Sequence, residues 1–376
     1  MISTHCAGQA PGLYSENVNR VPYRAYGIFY DQDYTLEMIG LKSLNEDRNY
    51  TMGLGLYYSD PSLAKSFLLK PHSWLNRIFG KPYLNESAAI PAIMIANGSF
   101  TPDSLPASYI IRNDRPYGSL TYLQTITSYV DNDELKSYTS MLSIGVIGTQ
   151  ISREVQTAIH RIMNDDDTKA PRTPRGWFNQ VSNGGELTLS YAFKKEALLT
   201  KKHVREQLQT SVHAFELKNS WQYSLGYYTG ANYALEFRAG KVDPRNWTYM
   251  VNPLSQSDKM QFSDSVMQQG MMSPDYFDRP RSFELYFFGS ARPTFILYNA
   301  LLNGQFRKSP HTLNFQQMKH LLFEFDGGVA TTLPLSKRKV AELKFKVSGR
   351  SPEFKLPGRP PRWHYWGGLD LLISSR

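Results

Sequence analysis

Along much of this chain, apolar and polar residues take alternate positions. Leu187, Leu189, Tyr191 and Phe193 oppose Glu186, Thr188, Ser190 and Lys194. Ala341, Leu343, Phe345 and Val347 oppose Glu342, Lys344, Lys346 and Ser348, while Tyr233, Leu235 and Phe237 oppose Asn232, Glu236 and Arg238. Leu321, Phe323, Phe325 and Val329 likewise face away from His320, Glu324, Asp326 and Thr332. A period of two sends successive side chains to opposite faces of an extended chain, which is the signature of a β-strand. On that basis strands are expected near 25–34, 49–60, 88–100, 117–131, 136–149 and 185–199, then 204–218, 228–241, 282–300, 317–334, 338–353 and 362–374. Those near 117–131 and 204–218 alternate poorly, and Pro91 and Pro293 interrupt two others. Many exceed the five or six residues of an ordinary globular strand. An even number of long strands rich in Tyr and Phe suits an up-and-down membrane barrel. Alternation alone fits a large soluble β protein equally well.

Two segments break the β pattern. Ser152 to Met163 reads as a helix, with Ser152 as its N-cap and Glu154 early enough to favour the helix dipole. Gln156 and His160, four apart, share one face, and Val155, Ile159 and Ile162 lie on another, apolar face. Pro61 to Gly80 carries Leu63, Phe67, Leu68, Trp74, Leu75 and Ile78 and is expected to break at Pro71. It reads as a packed or interfacial amphipathic segment.

Composition narrows the class. Among 376 residues, Tyr 24, Phe 20 and Trp 6 exclude a disordered chain, which is poor in aromatics. No stretch approaches the ~20 apolar residues of a spanning helix, whereas a barrel hides its hydrophobicity by alternation. The sole cysteine, Cys6, excludes a disulfide scaffold and a cysteine zinc site. Met1 to Gly12 has no apolar core of the kind a complete signal peptide needs. Residues 1–22 are therefore expected to form an N-terminal segment, a residual signal or a flexible lead, and 23–376 the barrel. A net charge of +9 favours an anionic partner, phospholipid or lipopolysaccharide, and no basic stripe marks a nucleic-acid surface.

Familiar enzyme signatures are missing: there is no G-x-S-x-G elbow, no H-E-x-x-H and no P-loop. Among 8 histidines, His160 stands out because Gln156 precedes it by one turn and Asp165, Asp166 and Asp167 follow the helix. That cluster fits a helix end trailed by solvated acids, or a base beside hard oxygen ligands for calcium. Asp31-Gln-Asp33 closes the first strand and Asp47-Arg-Asn-Tyr-Thr-Met-Gly53 opens the second. These carboxylates, amide and hydroxyl either meet at one rim of a barrel or merely flank a hairpin turn.

Several segments, in their order and spacing, resemble the outer-membrane lipid A 3′-O-deacylase (LpxR) family over most of the chain. They are Tyr30-Asp-Gln-Asp33, Asp47 to Gly53, Asn113-Asp-Arg-Pro-Tyr-Gly118, Gly145-Val-Ile-Gly148, Val155-Gln-Thr-Ala-Ile-His160 and Pro174-Arg-Gly-Trp-Phe-Asn-Gln180. The resemblance implies a twelve-stranded antiparallel transmembrane barrel with one short extracellular loop helix, and an active site between that helix and the barrel wall. It implies an ester hydrolase of the bacterial outer membrane, acting on lipid A from the outside face with calcium. In that scheme His160 is the general base and Asp33 the nearby carboxylate, with Gln32, Thr51 and Gln156 lining the site. Asp33, Thr51 and Asp166 would hold the metal. Here Gln32 stands where the family has asparagine and Asp166 where it has glutamate, and 101–113 offers no counterpart to a lysine of some members. Two other readings are a lipopolysaccharide-binding barrel without activity and an outer-membrane phospholipase. For the phospholipase, Ser182-Asn-Gly184 is similar to part of the motif, with Gln180 where its histidine would be. Since every strand can close within one chain, a monomer is expected.

Overall fold

The computed structural model describes residues 24–32, 35–38, 40, 49–85, 90–131, 134–163, 174–200, 212–242, 283–336, 339–358 and 360–375. The expected N-terminal segment 1–22 lies outside the described residues, as do Asp33 and Asp166. Twelve strands follow in chain order: β1 (Arg24–Gln32), β2 (Asn49–Ser59), β3 (Ile90–Thr101), β4 (Gly118–Asp131), β5 (Lys136–Ile147) and β6 (Glu186–Leu198). They continue with β7 (Val212–Gly226), β8 (Tyr228–Val242), β9 (Glu284–Asn299), β10 (Leu321–Ser336), β11 (Lys339–Arg350) and β12 (His364–Ser375). Each pairs antiparallel with its chain neighbour, and β1 closes on β12 with Tyr26 opposite Ile373, so the sheet is a closed barrel. Closure leaves no open edge. Among the described residues four α-helices accompany the strands: α1 (Thr35–Met38), α2 (Lys70–Ile78), α3 (Ile151–Met163) and α4 (Ala300–Asn303).

The barrel is polar inside and apolar outside. Ile28, Leu54, Leu56, Ile95, Ile144, Leu189, Phe287 and Leu371 project outward and are exposed. The opposite parity fills the lumen with paired charges. Lys218 reaches Glu196 at 2.9 Å and Glu236 at 3.2 Å, and Arg238 meets Glu216 at 2.6 Å. Glu324 receives Arg292 at 3.0 Å and Arg350 at 2.6 Å, and Lys346 joins Asp370 at 3.0 Å with Asp31 at 3.2 Å. Buried charges persist only when paired, and here the strand register brings opposite signs together.

The structure corrects several sequence expectations. Strand β7 is described from Val212 to Gly226, eight residues past the expected end at 218, and 204–211 of the expected strand lie outside the described residues. The clear alternation lies further on, with Trp221, Tyr223 and Leu225 outward and Gln222 and Ser224 inward, whereas 204–211 has only Val204 and Leu208 as apolar residues, four apart and out of step with a period of two. Pro293 sits inside β9, where the ladder to β8 is open between the Asn232–Thr294 and Leu235–Ala291 pairs. A residue without an N–H is tolerated at such a gap. Pro71 does not break a helix; it occupies the first turn of α2, where the missing N–H costs nothing. Ser152 is not a cap either, because α3 already begins at Ile151.

Strand β4 alternates poorly for a structural reason. Its lumen side is mostly apolar, with Leu120, Tyr122 and Ile126 buried, while Ser119, Thr121, Thr125 and Thr127 take the outer face. Both polar ends of that face are covered. Helix α3 covers the end near Ser119, and α2 covers the end near Thr127.

A polar patch on the outer wall beneath helix α3

The end of the barrel opposite the chain termini carries the candidate site. A cross-strand row on the outer face runs through Gln32, Met52, Ser99 and Ser119, which are register partners on β1 to β4. One step nearer the rim the β2–β3 register shifts between Tyr50 and Met52, leaving Thr51 as the extra residue of a β-bulge. The bulge separates side chains that strict alternation would group. Tyr50 turns into the lumen against Trp366, with its hydroxyl 3.4 Å from Asp31 Oδ2. Thr51 stays with Thr101 on the outer side, their hydroxyls 2.7 Å apart.

Helix α3 lies over this patch. Ser152 is fully buried, its hydroxyl accepting from Ser99 Oγ at 2.7 Å and donating to Asn97 Oδ1 at 3.2 Å, so this face of the helix touches the wall. Gln156, one turn on and 3% exposed, shares that face. Its Oε1 accepts the indole N–H of Trp177 at 2.9 Å. Indole nitrogen only donates, so this bond fixes the amide orientation. The Nε2 group is then left buried with no partner among the described residues. His160 follows by a further turn on the same helix, and its side chain lies outside the described residues.

The segments quoted from the sequence build the frame around this helix. Gly148, at φ +80°, ends β5 and donates to the Ser119 carbonyl at 2.9 Å, steering the chain into α3. Trp177 is fully buried, its ring centroid 4.9 Å from that of Tyr117, and Gln180 Oε1 accepts from Ser119 Oγ at 2.8 Å. Arg115, from the Asn113 to Gly118 segment, is sealed between Glu353 at 3.3 Å and the Phe100 ring at 4.6 Å.

Of the residues singled out in the sequence, the structure therefore brings Thr51 and Gln156 to the outer wall at one rim. Gln32 joins them by strand parity and accepts from the Tyr30 hydroxyl. Asp31 does not: it points into the lumen and pairs with Lys346. Asp33 and Asp166 lie outside the described residues. Trp177, Ser99 and Thr101 had no role in the sequence reading. The signal available for Trp177 was its place in a quoted segment, but nothing local ties residue 177 to residue 156. Ser182, the phospholipase-like serine, is buried and donates to Glu186, so it is not presented as a nucleophile.

Calcium, implied by the family resemblance, takes hard oxygen ligands. The described donors Thr51 Oγ1, Thr101 Oγ1 and Gln32 Oε1 are of that kind, and they fit it in chemical type. Gln156 presents an N–H group instead, which suits an oxygen of a substrate and not a cation.

Comparison with known proteins places the chain. A solved structure of LpxR from Salmonella typhimurium superposes with a TM-score of 0.61, covering 93% of this chain and 99% of that one at 12% identity. The KdgM porin and the β domain of the Bordetella autotransporter BrkA match at TM-scores of 0.32 and 0.38, with 4% and 6% identity, over 94% of this chain and 98% of each of theirs. No curated protein matches in sequence. The family described as outer membrane protein LpxR matches residues 12–374, nearly the whole chain. This outer-membrane barrel is a member of the LpxR family.

Proposed function

We propose that the protein is an ester hydrolase that removes a 3′-linked acyl chain from lipid A, working in the leaflet that faces outside. The observation that carries this reading is the buried Gln156 amide, oriented by Trp177 so that its N–H donor has no partner among the described residues. Ester cleavage needs a base for water and donors aimed where the carbonyl oxygen becomes negative. His160 takes the proton from water, and Asp33 orients it. Gln156 Nε2 donates to the developing oxyanion. The Thr51 and Gln32 side chains line the adjoining wall. Thr51, with Asp33 and Asp166, would hold calcium, which when bound would supply positive charge to offset a developing oxyanion. A serine nucleophile is unnecessary, in keeping with the sealed Ser182.

Mass spectrometry of lipid A after incubation with the purified barrel, in calcium and in chelator, tests the proposal. The expected result is calcium-dependent loss of the 3′-linked acyl group, abolished in His160→Ala while the barrel remains heat-modifiable. Unchanged lipid A with a folded barrel, in calcium, would leave a lipopolysaccharide binder.

A further inference from the structure

The second covered patch on the outer wall lies at the terminus end of the barrel and has no part in the proposed chemistry. The chain between β2 and β3 does not turn back tightly there. It runs through 3-10 turns at Pro61–Lys65 and Phe67–Leu69 into α2, then through Pro82–Asn85. This strap lies against the outside of β4, β5 and β6. His72 bridges Thr125 Oγ1 at 3.1 Å and Ser140 Oγ at 2.9 Å. Asn76 donates to Thr127 Oγ1 at 3.3 Å and accepts from the Tyr191 hydroxyl at 3.1 Å. Phe79 stacks on Tyr191 at 4.6 Å, and Lys81 sits 4.7 Å above the Phe193 ring.

The polarity of α2 is the reverse of a soluble helix. His72 and Asn76, four apart, are fully buried against the wall, while Trp74 and Ile78 are 63% and 55% exposed on the far side. Phe67, just before the helix, is 73% exposed. An outward face like this is stable where its surroundings are as apolar as it is. The neighbouring wall shows what those surroundings are. Outward-facing Tyr26 and Tyr58 stand 5.1 Å apart on one side, and Phe193, Trp221 and Tyr223 cluster within 5.6 to 6.1 Å on the other. These form an aromatic band of the type that marks a membrane–water boundary. Between them Thr125, Thr127 and Ser140 interrupt the aromatic wall of β4 and β5, whose Tyr129 and Tyr138 pack against Tyr83 of the strap, and over this stretch the strap presents Phe67 and Trp74 outward. Residues 61–85 also contain Lys65, Lys70, Arg77 and Lys81 and no acid. Lys65, Lys70 and Arg77 are exposed.

We propose that this strap is a lipid-binding element: Phe67, Trp74 and Ile78 insert at the acyl boundary of the leaflet at the terminus end, while Lys65, Lys70 and Arg77 engage anionic phospholipid headgroups. Aromatic and basic residues on one exposed helix face divide the work in this way, rings at the boundary and charges at the phosphates. The assignment is independent of the hydrolase reading.

The test uses the full chain with Cys6→Ser and a nitroxide at Trp74→Cys, reconstituted in phosphatidylethanolamine vesicles with and without phosphatidylglycerol. Collisions with oxygen should exceed those with a water-soluble nickel chelate several-fold, and a label at Ser62→Cys should show the opposite order. A label at position 74 that favours the chelate overturns the proposal. So does spin–spin broadening, which would mean that a second copy covers the face. The Lys70→Gln, Arg77→Gln variant, which keeps the wall contacts, tests the headgroups by native mass spectrometry. Retained phosphatidylglycerol should fall at least several-fold, and unchanged retention overturns that half.

Discussion

Trp177 donates its indole N–H to Gln156 Oε1 across 2.9 Å, and that one bond decides which end of the amide is left over. A donor fixed before substrate arrives costs no reorganisation when charge develops. Gln156→Glu keeps an acceptor for Trp177 and removes the N–H. Loss of one oxyanion donor of this type lowers kcat by roughly 10²–10³. Trp177→Phe keeps a ring beside Tyr117 but frees the amide, and a loss of about 1 kcal/mol predicts a deficit of about fivefold. Deacylation of lipid A by the two variants, measured side by side, checks the order.

Gly148 is the second point at which the site can be broken without touching it. An added Cβ would lie 2.0 Å from the Ser182 carbonyl oxygen, and the backbone is at φ +80°. The left-handed backbone alone costs about 1–2 kcal/mol for other residues. Gly148→Ala should therefore displace the entry to α3 and lose most activity, with the strand ladder still forming. Heat-modifiable migration together with an activity assay separates the two effects.

Lys346 holds two carboxylates in the lumen, Asp31 at 3.2 Å and Asp370 at 3.0 Å. Lys346→Met leaves both buried without that cation, at a cost on the order of 3–5 kcal/mol. Adding Asp31→Asn and Asp370→Asn should recover much of it. Urea unfolding midpoints of the single and triple variants give the comparison.

His72 gives the strap a pH dependence. Burial pushes its imidazole down to about 3, and the groups facing it are the Thr125 and Ser140 hydroxyls and the Tyr191 ring. The undocked strap therefore binds a proton that the docked strap refuses. Docking is at full strength above the unfolded pKa of about 6.5 and weakens by about 1.4 kcal/mol per pH unit as pH falls below it. Proteolysis of the segment between β2 and β3 should rise between about pH 6 and pH 4, and His72→Gln should flatten the curve.

The strand pattern was legible wherever one face meets lipid and the other the lumen. Ala341 to Val347 alternates cleanly, and Leu187 to Phe193 does so even where the strap covers it, because Phe79 and Lys81 meet the Tyr191 and Phe193 rings and so keep that face apolar. In β4 that reading falters, since Ser119 and Thr127 face outward yet never meet lipid. Their polarity records contacts made by other loops: Ser119 bonds Gln180 and the Thr149 carbonyl just before α3, and Thr127 bonds Asn76 of α2. For the same reason Gln156 was visible as a helix-face residue but Trp177 was not, because only the fold joins them. Thr51 was found from its motif, whereas the bulge that turns it away from Tyr50 depends on the β3 register.

The Gln156 amide lies outside the barrel wall, beyond a lumen closed by ion pairs such as Lys218 with Glu196. In the proposed reaction a lipid reaching it would travel sideways within the leaflet and not thread the strands. What it meets first is a question of surface density: encounter depends on how many candidate lipids share the patch of membrane around the barrel, and dilution of the surrounding water leaves that number unchanged.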